Sequence, residues 1–369
     1  MPDPVFISSE IYRPAGYRRN HPLGIPRISS VHDICRAEGW LEDGFVDSPQ
    51  APIDVLTRLH EPDYVAAVAE VSETGKATRE MTERFNLGAM ENPAFQGVMT
   101  RAGTSVGGSI LAAELALEGR VAYHPAGGTH HGRPGRASGF CYFNDPAFAI
   151  LTFLDAGLDR VLYLDLDAHH GDGVEDMFAA DPRIMTISTH EAGRWPHTGL
   201  LDDQREGRAL NLPVPAGFRD AELAALMDET IMPFARAFSP QALVLTTGAD
   251  ALAGDPLSKL ELSNTGLWRT VAEAMALCPR AVILGGGGYN PWTVARAWSG
   301  LWARLCGHTV PDRASAGAMA VLAALECDLV DEDEIAPEWL TTIADAPDPR
   351  PARPEIHDMI DALRIRIAA

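Results

Sequence analysis

Short apolar runs alternate with longer amphipathic stretches through the middle of the chain. "RVAYHP" (120–125), "RVLYLDLD" (160–167), "RIMTISTH" (183–190), "QALVLTTGAD" (241–250) and "RAVILGGGGYN" (280–290) each carry apolar residues with little polar alternation. Runs of that kind predict strands buried on both faces. Residues 97–118, 144–157, 219–238, 265–277 and 291–306 lie between them and show helical spacing. This alternation predicts an α/β fold: a single domain with a mostly parallel central sheet and helices on both faces. Every run except the third leads into glycine-rich or ionisable sequence, and in open α/β sheets ligands bind beyond the carboxyl ends of the strands. Residues 186–217, with Trp195, Pro196, His197, Pro213 and Pro215, read as one long loop, the kind that is often functional. The tail 343–360 is rich in proline and charge and reads as a surface arm ending in a short helix. No repeat or linker divides the chain. One domain is expected over 1–369, its core at about 5–310, with 311–369 as C-terminal helices and arm packed on it.

Charge narrows the partners. The formal net charge is −21, from 30 basic and 51 acidic residues, which disfavours nucleic acid and anionic membrane surfaces. A cationic small molecule or basic peptide remains compatible, and so does acid that serves only solubility. The cysteines Cys35, Cys141, Cys278, Cys306 and Cys327 are scattered, odd in number and form no C-x-x-C pair. That usage predicts a reducing compartment. No basic-then-apolar leader opens the chain, and no apolar run approaches the ~20 residues of a membrane span, so a cytoplasmic location is expected. A homo-oligomer is left open.

Candidate chemistry concentrates at the strand ends. In "RVLYLDLDAHHGDG" (160–173), Asp165, Asp167 and His169 share one face if the strand continues that far. Neighbouring carboxylates repel unless a positive charge lies beside them, and a metal ion is the simplest one. Asp-x-His with a distant third carboxylate leaves a coordination position for water, as in a catalytic zinc site. Asp250, closing "LVLTTGAD", is the expected third ligand. The plainer alternative is an N-cap aspartate or a buried ion pair. His130 and His131, in "GGTHHGRPGRASGFCYFND" (127–145), suit general acid–base work, and Asp165 and Asp172 are the spare acids that could fix their tautomers. "LGGGGYN" (284–290) has no following lysine and matches neither phosphate-binding glycine motif, so its expected use is to place the Tyr289 phenol near an oxyanion.

These blocks, with "TISTH" and "GADALAGDPL", resemble the zinc-dependent histone deacetylase family, which includes bacterial acetoin-utilisation proteins and acetylpolyamine amidohydrolases. Weaker similarity in "HPLGIPR", "HEPDYV" and "MENPAFQG" extends the likeness over roughly residues 5 to 310. The resemblance implies an arginase/deacetylase-like fold with zinc on Asp167, His169 and Asp250. Hard Asp/His/Asp ligation also admits Fe2+. It implies His131 as general base and later proton donor, a mainly electrostatic His130, and Asp165 and Asp172 orienting the pair. Tyr289 would polarise the acyl carbonyl. Gly139 would take a hydrogen bond from the substrate amide. Phe140 and Trp195 would line a narrow tunnel with Leu257 at its mouth, and Glu91 and Gly287 join the substrate contacts. Potassium is implied beside Asp165, Asp167, His169, Ser188 and Thr189, and again at the carbonyls of Phe178, Asp181 and Ile184.

The implied activity is amide hydrolysis: removal of acetyl or another small acyl group from acyl-lysine or a small acylated amine. Departures from the family pattern bear on specificity. Thr129 precedes the histidines where Trp or Leu is common, Trp195 stands at a usual Phe, and Glu91 replaces a rim aspartate. An acetylpolyamine substrate is an alternative, although 72–100 shows no clear dimerisation insert. Arginase shares the fold, but Gly171 and Leu252 stand where its second metal needs carboxylates. A silent binding protein would be marked by a lost ligand or tyrosine, and none is lost. Nucleotide binding through the glycines lacks a lysine or an acidic ribose partner.

Overall fold

The computed structural model describes residues 4–14, 16–203 and 205–368. Eight parallel strands form one sheet in the order β2-β1-β3-β8-β7-β4-β5-β6. They are β1 Pro4–Ser8, β2 Val46–Asp47, β3 Val121–His124, β4 Val161–Asp165, β5 Ile184–Glu191, β6 Ala209–Val214, β7 Ala242–Thr246 and β8 Ala281–Leu284. The unbroken apolar runs have a direct cause. Tyr123, Leu162, Leu164, Leu243, Leu245 and Ile283 enter the core on one face of the sheet. Ala122, Val161, Tyr163, Val244, Val282 and Leu284 enter the core on the other. With both faces covered by helices, period-two alternation has no solvent side to report.

Register brings the chemistry to one edge. Asp165 of β4 lies opposite Ser188 of β5 and Thr246 of β7, and Thr246 lies opposite Leu284 of β8. The carboxyl ends of the central strands therefore share a crevice. Two asparagines start helices beside it. Asn144 accepts from the Ala147 amide at 3.1 Å and opens helix Asp145–Asp155. Asn290 accepts from the Trp292 and Thr293 amides and opens helix Pro291–Leu305. Each is followed by a proline in the first turn, where no amide partner is needed.

The structure corrects several expectations. The stretch 186–217 is not one loop: it holds the end of β5 and all of β6. β4 stops at Asp165, so strand alternation does not set the directions of Asp167 and His169. Residues 219–238 are helical but carry a π turn at Met227–Ile231. Pro233, just beyond, has no amide to continue the regular ladder. The closing helix is longer than expected, Pro354–Ala368, and buries Ile356, Ile360 and Leu363.

Candidate metal and acid–base site

The turn after β4 is built from its own carboxylates. Asp165 Oδ1 accepts the Asp167 amide at 3.1 Å, and Asp167 Oδ1 accepts the His169 amide at 2.9 Å. Side chains that cap the amide two residues on pull the chain out of the sheet. From the turn after β7, Ala249–Ala251, comes Asp250, whose Oδ1 accepts the Ala168 amide at 3.0 Å. His169 Nδ1 then lies 3.3 Å from Asp167 Oδ1 and 3.0 Å from Asp250 Oδ2. Ligand-type atoms of all three buried residues fall within 4.8 Å of one another, the only such metal-ligating group among the described residues.

The glycine run serves close approach. Gly287 N donates to Asp167 Oδ2 at 2.6 Å. A Cβ built on Gly287 would lie 2.0 Å from Asp250 Oδ2 and 2.9 Å from Asp167 Oδ2. Gly171 presses on Asp165 in the same way, with a Cβ 2.2 Å from its Oδ2.

His130 Nδ1 meets Asp165 Oδ2 at 2.7 Å, and His131 Nδ1 meets Asp172 Oδ1 at 2.7 Å. The two imidazoles are 3.9 Å apart between centroids. Tyr163 donates its hydroxyl to Asp165 Oδ2 at 2.7 Å, and Arg133 pairs with Asp172. Burial opposes charge on His130, but Asp165 and Asp167 outweigh it and raise its pKa to about 9. Burial and then the neighbouring His130 charge push His131 down to about 4, so it stays neutral. The two adjacent rings are thus pushed apart in proton affinity, His130 upward and His131 downward. Burial followed by Asp167 raises Asp250; burial also resists ionisation of Asp167, but His130, His169 and the Gly287 amide beside it outweigh that and lower its pKa.

A cavity of about 530 Å³ opens onto this group. His131, His169, Gly139, Phe140, Trp195, Leu257, Glu91 and Tyr289 all line it. Gly139 and Phe140 both have left-handed backbone, φ 53° and 66°. The pair turns the Phe140 ring to 5.7 Å from Tyr289, and a Cβ on Gly139 would collide with Trp195 and His131. Trp195 lies with its ring 4.6 Å from His131. Tyr289 N donates to Asp255 Oδ2 at 2.7 Å and Leu257 N to Asp255 Oδ1 at 2.9 Å. Burial, reinforced by Asp250 and Asp167, holds the Tyr289 phenol protonated.

Ser188 and Thr189 stand on β5 beside Asp165, and the buried Thr189 Oγ1 has no hydrogen-bond partner. The carbonyls of Phe178 and Asp181 accept the amides of Asp181 and Ile184 in one tight turn. Thr129 lines a separate cavity of about 100 Å³ behind the site. Its amide donates to Asp145 Oδ1 at 2.7 Å.

Sequence reasoning passed over Asp255, Arg133, Tyr163 and Arg27. Arg27 is half-buried, donates to the Gly286 carbonyl and stacks 4.9 Å over Trp298. The one signal for it was its place at the end of "HPLGIPR".

Paired imidazole–carboxylate groups beside a hard-donor trio, on the carboxyl edge of a parallel sheet, define a hydrolytic α/β protein with a metal-type site. The chain belongs to the histone deacetylase family: residues 21–305 match the histone deacetylase domain. The acetoin utilization protein AcuC of Bacillus subtilis (strain 168) is 34% identical over 332 residues, 84% of this chain and 85% of AcuC. Histone deacetylase 8 of Xenopus tropicalis is 34% identical over 317 residues, 83% of this chain and 85% of that protein. The crystal structure of an HDAC homolog from Aquifex aeolicus superposes with a TM-score of 0.92 at 32% identity, covering 98% of this chain and 99% of that one. The same figures hold for an HDAC homolog complexed with SAHA. The chain is a hydrolase of the deacetylase type with the arginase/deacetylase fold. Among the described residues, no helix is long and apolar enough to cross a membrane.

Proposed function

We propose that this protein is a zinc-dependent amidohydrolase that removes acetyl or another small acyl group from acyl-lysine or a small acylated amine. The observation that carries the reading is the convergence of the Asp167/His169/Asp250 group and the two His–Asp pairs on the cavity lined by Tyr289. Two buried carboxylates around one imidazole nitrogen fit a divalent cation, and zinc held there would supply Lewis acidity and an acidified water.

The chain's own residues divide the remaining work. His131 Nδ1 is engaged by Asp172, which leaves Nε2 to take the proton of the attacking water and return it to the leaving amine. His130, charged and held by Asp165, stabilises developing negative charge. The Tyr289 phenol donates to the acyl oxygen as it becomes an oxyanion. Gly139 accepts from the substrate amide, and Phe140, Trp195 and Leu257 enclose an aliphatic chain. Potassium beside Asp165, Asp167, His169, Ser188 and Thr189 would be held mostly by backbone carbonyls, with Phe178, Asp181 and Ile184 as a second carbonyl site. Among the described residues no disulfide links the five cysteines, which supports a reducing, cytoplasmic setting.

Zinc-loaded and Fe2+-loaded enzyme assayed on acetyl-lysine peptide, acetylputrescine and trifluoroacetyl-lysine peptide tests the reading. Turnover that disappears in Tyr289→Phe and Asp167→Ala is expected. Metal-replete protein inert on all three would refute it.

A further inference from the structure

The mouth of the cavity carries two opposite, anchored charges that the chemistry above does not use. Glu91 lines it, its carboxylate held by Asn86 Nδ2. Arg194 and His197, from the segment that follows β5, line it too. Arg194 is fixed by a fork. Its Nε and Nη2 both bond Glu191, the second at 2.8 Å. Glu191 is itself buried, and its Oε2 also accepts the Lys259 amide at 2.8 Å. The Glu191 amide donates to the Ala168 carbonyl at 2.9 Å, between Asp167 and His169. The guanidinium is therefore held in register with the metal-type group. Nη1 bonds nothing else among the described residues, and the Arg194 side chain keeps 25% exposure. His197 Nδ1 donates to the Gly193 carbonyl at 3.0 Å, so the neutral ring presents Nε2 as an acceptor.

An arginine at the mouth stands apart from the net charge of −21 and disfavours a substrate whose far end is only a cation. A polyamine tail would meet Arg194 there. An internal lysine of a protein would present only neutral peptide groups to both charges. One headgroup satisfies both at once: an ammonium beside a carboxylate, at the far end of an aliphatic chain that enters between Phe140 and Trp195.

We propose that Glu91 and Arg194 select a zwitterionic substrate, a free amino acid acylated on its side-chain amine, with Nε-acyl-lysine the fitting size. Glu91 takes the α-ammonium, and Arg194 takes the α-carboxylate. This rests on the amidohydrolase reading and names its substrate class. Mouth residues are partly hydrated, so discrimination is modest and falls on KM rather than kcat.

Three amides of matched length separate the two charges. Nε-acetyl-lysine has both, 6-acetamidohexanoate lacks the ammonium, and N-acetylcadaverine lacks the carboxylate. For the zinc-loaded protein, kcat/KM is expected to be about tenfold or more higher for Nε-acetyl-lysine than for either analogue or for acetyl-lysine blocked at both ends. Arg194→Gln should collapse the preference over N-acetylcadaverine, and Glu91→Gln the preference over 6-acetamidohexanoate. Because Arg194→Gln strands the buried Glu191, the double variant Glu191→Gln/Arg194→Gln removes the pair together and should give the same collapse. N-acetylcadaverine or the blocked form turned over as well as Nε-acetyl-lysine would overturn the proposal. So would ratios left within twofold by the variants. Trifluoroacetyl-lysine peptide reports on the machinery alone: if the zinc-loaded protein fails on that too, the amidohydrolase reading falls and takes this one with it.

Discussion

Gly287→Ala isolates the packing of the metal-type group from the identity of its ligands. The new Cβ would stand 2.0 Å from Asp250 Oδ2 and 2.9 Å from Asp167 Oδ2, where ordinary contacts begin near 3.4 Å. The Asp250 carboxylate and the 287 backbone must therefore separate by about 1.4 Å. Neither has slack. Asp250 Oδ1 is tied to the Ala168 amide at 3.0 Å, and Gly287 N to Asp167 Oδ2 at 2.6 Å. Movement on either side displaces a ligand oxygen by much of an ångström. Misplacement on that scale costs on the order of 100-fold in rate, and loss of outer support costs about 10–100-fold in metal affinity. Zinc affinity, measured by competition with a chromophoric chelator, is expected to fall at least about tenfold. The kcat/KM on trifluoroacetyl-lysine peptide should fall about 100-fold or more. Gly44→Ala is a distant control that is harsher on the backbone: at φ +78° with nothing within 4 Å it adds left-handed strain, which Gly287→Ala does not, but no clash. If Gly287→Ala bound zinc and turned over substrate within about threefold of wild type, the Asp167/Asp250 geometry would not be the working one.

Other expectations follow from single contacts. Tyr289→Phe should lower kcat by about 100- to 1000-fold with little change in KM or melting temperature, since the hydroxyl acts on the oxyanion alone. Asp172→Asn should lower kcat at least as steeply, because an amide no longer holds His131 in the tautomer that frees Nε2. Burial pushes His60 down to about 4 from an ordinary 6.5. Its Nδ1 faces the Arg133 carbonyl at 3.0 Å while its Nε2 accepts the Asn144 amide at 3.2 Å, a pattern only the neutral ring satisfies. Below pH 6.5 the unfolded chain takes up a proton that the folded chain refuses. Stability is then lost between about pH 6.5 and 4, by roughly 3 kcal/mol for this residue, and is unaffected by it above that window. Urea unfolding of wild type and His60→Gln at pH 7 and 4.5 should show the smaller acid loss in the variant, and equal losses would refute the assignment. Potassium chloride should raise the melting temperature relative to sodium chloride at equal ionic strength, and identical melting would remove the sites at Thr189 and Phe178.

What was legible in the sequence followed from locality. The β3, β4, β5, β7 and β8 runs were readable because central parallel strands are apolar on both sides, whatever packs on them. β6 was not, because "ALNLPV" contains Pro213 and lies at the sheet edge, where a missing amide costs no inner ladder and the apolar signal is broken. β2 is two exposed residues and carries no pattern at all. The same division runs through the site. Asp167 and His169 stood out because they are two residues apart in a stretch with too much charge for its apolar setting. Strand alternation was nevertheless the wrong reason: the carboxylates gather His169 by capping successive amides after the strand has ended. Arg27 and the Arg194–Glu191 fork left no comparable trace, since an isolated arginine is ordinary surface until the fold decides what lies beneath it. Arg27 is brought against the glycine run by a helix some 260 residues upstream. Arg194 is turned inward by an acid three residues earlier that is itself buried by contacts to Ala168 and Lys259. Residues that perform the reaction therefore come in local clusters that a sequence displays. Those that choose the substrate are singled out by long-range packing, and substitution at the mouth can change the substrate while leaving the catalytic blocks as they are.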